Sequence, residues 1–129
     1  MNPAYAQIYR ELYQKHWWWR SRERFICACL KKQLRPAGPE GRVLDVGCGD
    51  RLSFAFLSEW GKVHGIEPDD SLLSPESKAD PAVHVGSVME QLPFGGDFGL
   101  ITAFDSLEHM QDDRSALARF RELISEEGI

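Results

Sequence analysis

The stretch 43-VLDVGCGDRLSF-54 joins a short apolar segment to a helical pattern through a turn that contains two glycines. Val43 to Val46 is typical of a buried strand, and Leu52 to Trp60 has the apolar spacing of a helix. Gly47 and Gly49 can adopt backbone conformations that other residues rarely adopt, and they leave no side chain between the backbone and a ligand. Strand, tight turn and helix in this order bind nucleotides in many α/β proteins. The stretch therefore predicts an α/β fold with a ligand site at the turn.

A carboxylate farther along the chain supports a nucleotide ligand at this turn. Glu67 ends the second predicted strand, 22 residues after Asp45. An acid at that place can accept hydrogen bonds from both ribose hydroxyls of a nucleotide. The dinucleotide fingerprint would need a third glycine three residues after Gly49, and Leu52 stands there. A nicotinamide cofactor is therefore disfavoured.

The remaining pattern alternates helices and strands, which predicts a parallel sheet with helices on both faces. Residues 1–38 form a predicted helical cap with a break near His16 to Ser21, and residues 39–129 form the predicted ligand-binding domain. The loop from Arg35 to Gly41 separates the two. The other predicted elements are strands at 63–66, 83–85 and 98–104, a short helix at 71–77 and a long helix from Asp112 or Asp113 to Gly128.

Composition narrows the classes of partner. The chain has 129 residues and a formal net charge of −5, which argues against non-specific binding to nucleic acid. We interpret the basic residues from Arg20 to Arg35 as a solvated helix face. No apolar run has the length of a membrane span, and three cysteines without metal-ligand spacing indicate reduced thiols. We therefore expect a cytoplasmic protein without a metal site, a nucleic-acid partner or a membrane partner.

Four segments in order, "VLDVGCGD", "VHGIEP", "GSVMEQLPF" and "FGLITAFDSLEHM", resemble the class I S-adenosylmethionine-dependent methyltransferases. The resemblance covers about residues 40–128 and is to bacterial members, of the methyltransferase domain 11 or 23 type, that act on small molecules. "WWWRSRERFI" resembles the leading helix of some of them. The resemblance implies a Rossmann-like three-layer sandwich with strand order 3-2-1-4, capped by the N-terminal helices.

The resemblance also implies roles for eight residues around S-adenosylmethionine, whose product after transfer is S-adenosylhomocysteine, and the chemistry of histidine adds a ninth in the segment after strand four. The first three belong to the cofactor loop, the fourth holds the ribose, the next two flank the adenine, two more approach the methionine end, and the last is a general base for the acceptor. In that order they are Asp45, Gly47, Gly49, Glu67, Ser87, Val88, Phe104, Asp105 and His109. Asp45 would orient the loop or meet the cofactor's ammonium group. His109 has a structural role in its loop as the alternative.

Departures from the family pattern leave a second interpretation open. Arg51 stands where the family usually has glycine, and we expect its side chain to narrow the pocket or to bring positive charge near the sulfonium. Ser87 stands where an acid is usual. The alternative to a methyltransferase of small molecules is therefore an inactive module of the same fold that binds cofactor weakly or binds a partner protein.

Two further expectations concern the ends of the chain. Of Trp17, Trp18 and Trp19, we expect two in the core and one over the cofactor or substrate, with ordinary packing as the alternative. The chain stops where a fifth strand should begin, so we expect the C-terminal strands to be absent and the edge of strand four to be bare. Exposed edges favour pairing with another chain. The sequence thus predicts a homodimer through that edge.

Overall fold

The structure, a computed structural model, describes residues 3–35 and 40–129. The helices are α1 (Pro3–Lys15), α2 (Trp17–Gln33), α3 (Phe54–Leu57), α4 (Pro75–Ala79) and α5 (Asp113–Leu123). The strands are β1 (Arg42–Val46), β2 (Lys62–Glu67), β3 (Val83–Val85) and β4 (Leu100–Thr102). Short 3₁₀ turns lie at Ser58–Trp60, Asp70–Leu72 and Leu107–His109.

Within the described residues, the strands form a parallel sheet with the order β3-β2-β1-β4. Val43 of the central strand β1 lies opposite Val63 on one side and Leu100 on the other. This is the order that the sequence predicts. It brings the carboxyl ends of β1, β2 and β4 to one edge, where the residues that follow each strand meet.

Successive residues of β1 point to opposite faces of the sheet, as the pleat of a strand requires. Leu44 belongs to a buried cluster that α5 closes with Leu123. Val43 belongs to a second buried cluster, against which Ile26 and Leu30 of α2 pack. The sheet therefore lies between two helical layers, and the predicted three-layer sandwich is confirmed.

The helical hairpin of α1 and α2 bends at His16, inside the range where the sequence predicts a break. His16 has an extended backbone, and its Nδ1 accepts a hydrogen bond of 3.3 Å from the Trp18 amide. The predicted boundary between residues 38 and 39 lies in 36–39, outside the described residues. Every helix in residues 3–35 and 40–129 is too short or too polar to span a lipid bilayer.

The last helix and strand are both shorter than predicted. α5 ends at Leu123 instead of Gly128, because Ile124 turns to an extended conformation with ψ 145°. The backbone of Ile124 then forms a parallel bridge with Phe98, which precedes β4. The Phe98 amide donates to the Leu123 carbonyl at 2.9 Å, and the Ser125 amide donates to the Phe98 carbonyl at 2.8 Å. Long-range pairing thus competes with continued helix here.

The pairing continues at Ile129, which corrects the expectation of a bare edge on strand four. The Ile129 amide donates to the Gly99 carbonyl at 3.1 Å, and the Ile101 amide donates to the Ile129 carbonyl at 2.9 Å. The edge from Gly99 to Ile101 is therefore occupied by the chain's own backbone.

Candidate functional site

A cavity of about 820 Å³ lies at the carboxyl ends of the strands, under the hairpin of α1 and α2. Its volume falls in the range of about 300–1,000 Å³ that is typical of small-molecule sites. The structure brings together along its wall all nine residues that the sequence singles out: Asp45, Gly47, Gly49, Glu67, Ser87, Val88, Phe104, Asp105 and His109.

The two glycines of the turn are required for different reasons. Gly47 has φ +77°, and a Cβ there would lie 2.4 Å from the Cβ of Ser106. The Ser106 hydroxyl donates to the Val46 carbonyl at 2.8 Å, which keeps the loop after β4 against the turn. Gly49 has φ +50°, but a Cβ there would have no atom within 4 Å. Gly47 therefore serves close packing, whereas Gly49 borders open space in the cavity.

Glu67 is only 5% exposed, and its carboxylate is held by two backbone amides. Oε2 accepts from the Gly49 amide at 3.0 Å, and Oε1 accepts from the Asp69 amide at 2.9 Å. Burial raises the pKa of Glu67, while these two hydrogen bonds act to lower it and the charge of Asp69 adds to the increase. Each carboxylate oxygen keeps a second lone pair, so Glu67 can accept further hydrogen bonds from a ligand.

Asp45 is 2% exposed and bonds within the protein. Its Oδ1 accepts from the Thr102 hydroxyl at 2.7 Å, and its Oδ2 accepts from the Ser53 hydroxyl. Burial raises the pKa of Asp45, and the two hydroxyl hydrogen bonds oppose that increase. The side chain ties β1 to β4 and to the residue before α3. The sequence leaves two roles open for Asp45, orienting the loop or binding the ammonium group of the cofactor. This geometry favours the first.

The segment after β3 also lines the cavity. Val88 is 4% exposed and packs in the core cluster of Leu44. The Ser87 hydroxyl accepts from the Met89 amide at 3.2 Å, and the Ser87 amide donates to Glu90 at 3.2 Å. Met89 also lines the cavity, although it is 53% exposed. Sequence reasoning missed Met89, whose only signal is its place next to Val88.

Arg22 closes the cavity against the loop after β4. Its guanidinium donates to Asp105 Oδ2 at 2.7 Å, and its Cζ lies 5.5 Å from the Trp19 ring centroid and 5.6 Å from that of Phe104. Asp105 has φ +52°, an uncommon conformation for a non-glycine residue. The sequence interpretation of a solvated basic face is wrong for Arg22. Its position three residues after Trp19 places both on one helix face and is the signal that could have found it.

Aromatic side chains of the hairpin form part of the cavity lining. Trp19 lies 5.3 Å from Tyr9 and 5.7 Å from Tyr13, and all three line the cavity. Trp17 and Trp18 are 70% and 46% exposed, so the expectation that two tryptophans enter the core is wrong. Burial raises the pKa of Tyr13, and the neighbouring carboxylate and hydrogen bond of Glu23 add to this. Sequence reasoning missed Tyr9 and Tyr13 as cavity residues, because helical spacing does not distinguish a core face from a cavity face.

Arg51 does not act as the sequence predicts. It has φ +62°, but its side chain turns toward α4. Nε donates to the Ser77 hydroxyl at 2.9 Å, and Nη1 donates to Asp80 Oδ2 at 2.6 Å. It is not among the residues that line the cavity. Contrary to the prediction from the sequence, Arg51 therefore neither narrows the cavity nor brings its positive charge into it.

Asp50 fastens the same turn to α1 and α4. Its Oδ1 accepts from the Ser74 amide at 2.7 Å and from the Ser77 hydroxyl at 2.6 Å, and its Oδ2 lies 3.0 Å from Arg10 Nε. Burial acts to raise the pKa of Asp50, but the hydrogen bonds from Ser77 and Ser74 and the charge of Arg10 outweigh it and lower the pKa. The glycine turn is thus held from two sides.

His109 lies on the cavity wall at the end of the 3₁₀ turn after β4. Its backbone amide donates to the Ser106 carbonyl at 3.1 Å, and its side chain is exposed. The imidazole is therefore positioned by its loop and remains accessible from the cavity.

A parallel sheet with a glycine turn after β1 and a buried acid after β2 defines an α/β protein of the nucleotide-binding type. Comparison with protein families gives the particular class. The family model described as a methyltransferase domain matches residues 18–129. The chain belongs to the class I S-adenosylmethionine-dependent methyltransferases, as the order of its motifs predicts.

Individual relatives agree with this assignment. The chain is 30% identical over 138 aligned positions to a ubiquinone biosynthesis O-methyltransferase of Aromatoleum aromaticum. This alignment covers 95% of this chain and 58% of that protein. DesVI of Streptomyces venezuelae has a TM-score of 0.70 at 20% identity, over 99% of this chain and 55% of DesVI. CalS10, an S-adenosylmethionine-bound amino pentose methyltransferase of Micromonospora echinaspora, has a TM-score of 0.66 at 20% identity, over 92% of this chain and 52% of CalS10. The two structures show the fold, and the chain spans little more than half the length of these proteins.

Proposed function

We propose that this chain provides the cofactor-binding part of an enzyme that transfers a methyl group from S-adenosylmethionine to a small-molecule acceptor. The observation that carries the proposal is the cavity that brings together all nine residues singled out from the sequence. One of them, Glu67, is held at the glycine turn by the Gly49 amide at 3.0 Å.

The residues present fit this cofactor. Glu67 would accept from the ribose hydroxyls with its remaining lone pairs, and the turn of Gly47 and Gly49 would border the methionine portion. Ser87 and Val88 would flank the adenine. When bound, S-adenosylmethionine supplies an electrophilic methyl group on a sulfonium and leaves as S-adenosylhomocysteine.

The chain's own residues would position the acceptor and exclude water. Methyl transfer is an in-line displacement, which depends mainly on holding the acceptor atom in line with the leaving sulfur. The aromatic wall around Trp19 suits a cationic group, and Phe104 and Asp105 lie at the same end of the cavity. His109 would take the proton from an acceptor hydroxyl through a ring nitrogen, since its imidazole lies on the cavity wall and can act as a general base.

Two observations bear on the acceptor and on the inactive alternative. The names of the relatives support a small molecule, because one is an O-methyltransferase of ubiquinone biosynthesis and another acts on an amino pentose. Arg51, a reason to suspect an inactive module, turns away from the cavity and pairs with Asp80. The active interpretation is therefore the one that we propose.

Calorimetric titration of the chain with S-adenosylmethionine and S-adenosylhomocysteine tests this proposal. We expect binding by the wild type and a loss of about tenfold or more in Glu67→Gln, because an amide cannot accept from both backbone N–H groups and the ribose. Glu126→Gln makes the same change at an exposed carboxylate and should bind like the wild type.

Release of S-adenosylhomocysteine in the presence of small phenols, carboxylic acids and amines tests transfer itself. Product formation with one of these classes would support the enzyme. Cofactor binding without product from any of them would favour the inactive module. A folded wild type that binds neither compound would contradict the proposed cofactor site.

A further inference from the structure

Charge is strongly segregated along this chain. Residues 1–35 contain eight Lys or Arg and two Asp or Glu, a formal charge of +6. Residues 36–129 contain seven Lys or Arg and eighteen Asp or Glu, a formal charge of −11. The net value of −5 therefore conceals a basic hairpin on an acidic body.

The same hairpin exposes large apolar side chains, here called the hairpin face. Their exposed fractions range from 38% to 71%, and they are Ile8, Leu12, Trp17, Trp18 and Phe25. His16 connects them, because it shares a shallow depression with Ile8 and Leu12 and stacks on Trp17 at 5.8 Å. Phe25 follows Trp18 by seven residues, which places both on one side of α2. The hairpin face is therefore continuous across the bend between the helices.

Unpaired positive charges border the hairpin face. Lys15, Arg24 and Lys32 are exposed, and none of the three lies within ion-pair distance of an acid in the described part of the chain. Arg22 and Lys31 differ, since they pair with Asp105 and Glu59. The charges that accompany the apolar side chains are thus available to an external partner.

We propose that the hairpin face binds the surface of an anionic lipid membrane. Tryptophan and phenylalanine partition into the interface between headgroups and acyl chains, while neighbouring lysine and arginine attract acidic headgroups. The acidic body would be repelled by the same surface, so the molecule would approach with its hairpin foremost.

Other partners fit these observations less well. Single-stranded nucleic acid is bound in basic grooves with aromatic platforms, whereas aliphatic Ile8 and Leu12 offer no ring on which a base could stack.

The expectation of no membrane partner rested on the lack of a spanning segment, and peripheral binding needs none. The inference does not depend on methyl transfer. Trp18 packs edge-on against the cavity residue Trp19 at 4.8 Å, so the hairpin face adjoins the cavity wall.

Co-sedimentation with vesicles tests the proposal. We expect the chain to sediment with vesicles of phosphatidylcholine and phosphatidylglycerol in equal parts, and not with phosphatidylcholine alone. The double variant Trp17→Ser/Phe25→Ser should bind the anionic vesicles about tenfold or more weakly. Leu117→Ser removes a side chain that is 51% exposed on α5 and should bind like the wild type.

Charge variants provide a second test that does not disturb the apolar side chains. Arg24→Gln/Lys32→Gln should weaken binding and its dependence on sodium chloride. Arg114→Gln/Arg121→Gln makes the same change at exposed positions of α5 and should leave binding unchanged. Circular dichroism checks that each variant is folded, and if the aromatic variant does not fold, the charge variants decide.

Four results would overturn the proposal. Wild-type protein could remain in the supernatant with anionic vesicles, or both hairpin variants could bind as well as the wild type. Binding to single-stranded RNA but not to vesicles would assign the hairpin face to nucleic acid. A dimer in light scattering that Trp17→Ser/Phe25→Ser converts to monomer, without vesicle binding, would assign it to a second copy of the chain.

Discussion

At the scale of single residues, the glycine turn contains three left-handed conformations, and those of Gly47 and Arg51 have different origins. Gly47, at φ +77°, has no room for a Cβ because Ser106 lies against it. Arg51, at φ +62°, retains its side chain because the guanidinium bonds to Ser77 and Asp80. The hydrogen bonds of Arg51 offset a backbone conformation that costs about 1–2 kcal/mol in residues other than glycine. A glycine at that position is therefore not indispensable to the turn.

Gly47→Ala should lower the free energy of unfolding by about 1–3 kcal/mol more than Gly95→Ala does. Gly95 is a matched control because it has φ +70° but no atom within 4 Å of an added Cβ, so it isolates the backbone term. Chemical denaturation measures both variants. Ser106→Gly in the Gly47→Ala background should recover part of the loss, and equal losses at the two glycines would contradict the steric explanation.

The buried carboxylate of Asp45 predicts a specific pH dependence. Burial raises the pKa of Asp45 in the folded state above its unfolded value of about 4. Between these two pKa values the folded state binds more protons than the unfolded state, so the free energy of unfolding falls as pH rises from about 4 through the folded pKa. Asp45→Asn lacks this proton, so its stability relative to the wild type should increase with pH. Denaturation at a series of pH values measures the difference.

Asp112 is a control of opposite sign. Hydrogen bonds from the Ser115 hydroxyl and amide lower its pKa, so the wild type gains stability with rising pH at this site. Asp112→Asn should therefore lose stability relative to the wild type as pH rises. The same trend in both variants would show that the pH dependence does not come from these carboxylates.

At the scale of elements, Arg22 connects the hairpin to the loop after β4. Arg22→Gln should lower global stability by less than about 1 kcal/mol, since Asp105 is 58% exposed and such pairs are screened. Hydrogen exchange in α1 and α2 should nevertheless accelerate while exchange in β1 and β2 stays unchanged, because the lost contact joins the hairpin to the loop after β4 and involves neither strand.

Lys31→Gln is the matched control for this prediction. The Lys31–Glu59 pair joins two side chains that are 53% and 45% exposed, and it lies away from the cavity. Hydrogen exchange in α1 and α2 of the Lys31→Gln variant should stay close to that of the wild type. If both variants accelerate exchange equally, the guanidinium of Arg22 has no particular role in holding the hairpin.

At the scale of the whole molecule, we predict that the edge of β4 does not mediate dimerisation. The Ile129 amide and carbonyl pair with Gly99 and Ile101, so the chain's own backbone occupies the edge at which the sequence predicts a homodimer. Only an unpaired strand edge is available to another chain. Light scattering at increasing protein concentration should show a monomer throughout, and a dimer that Trp17→Ser/Phe25→Ser leaves intact would refute the prediction.

Local patterns are sufficient for much of this fold. The central strands, the glycine turn and Glu67 are predicted from neighbouring residues, because strand period, turn chemistry and backbone preference are properties of short segments. The ends of β4 and α5 are not, since the bridge between Phe98 and Ile124 joins residues far apart in the chain. The order of motifs also singles out nine residues that all line one cavity in the structure.

What the sequence determined by itself is therefore the alternation of strands and helices and the set of residues that follow the strands, which parallel topology brings together. The order of the strands came from the resemblance of its motifs to the methyltransferase family. Only the tertiary structure decided which helix faces meet that edge. It turned Arg51 toward Asp80, brought Arg22 onto Asp105 and placed Trp19, but not Trp17, against the cavity. Helical spacing gives the face on which a side chain lies, whereas its partner depends on packing between segments distant in sequence.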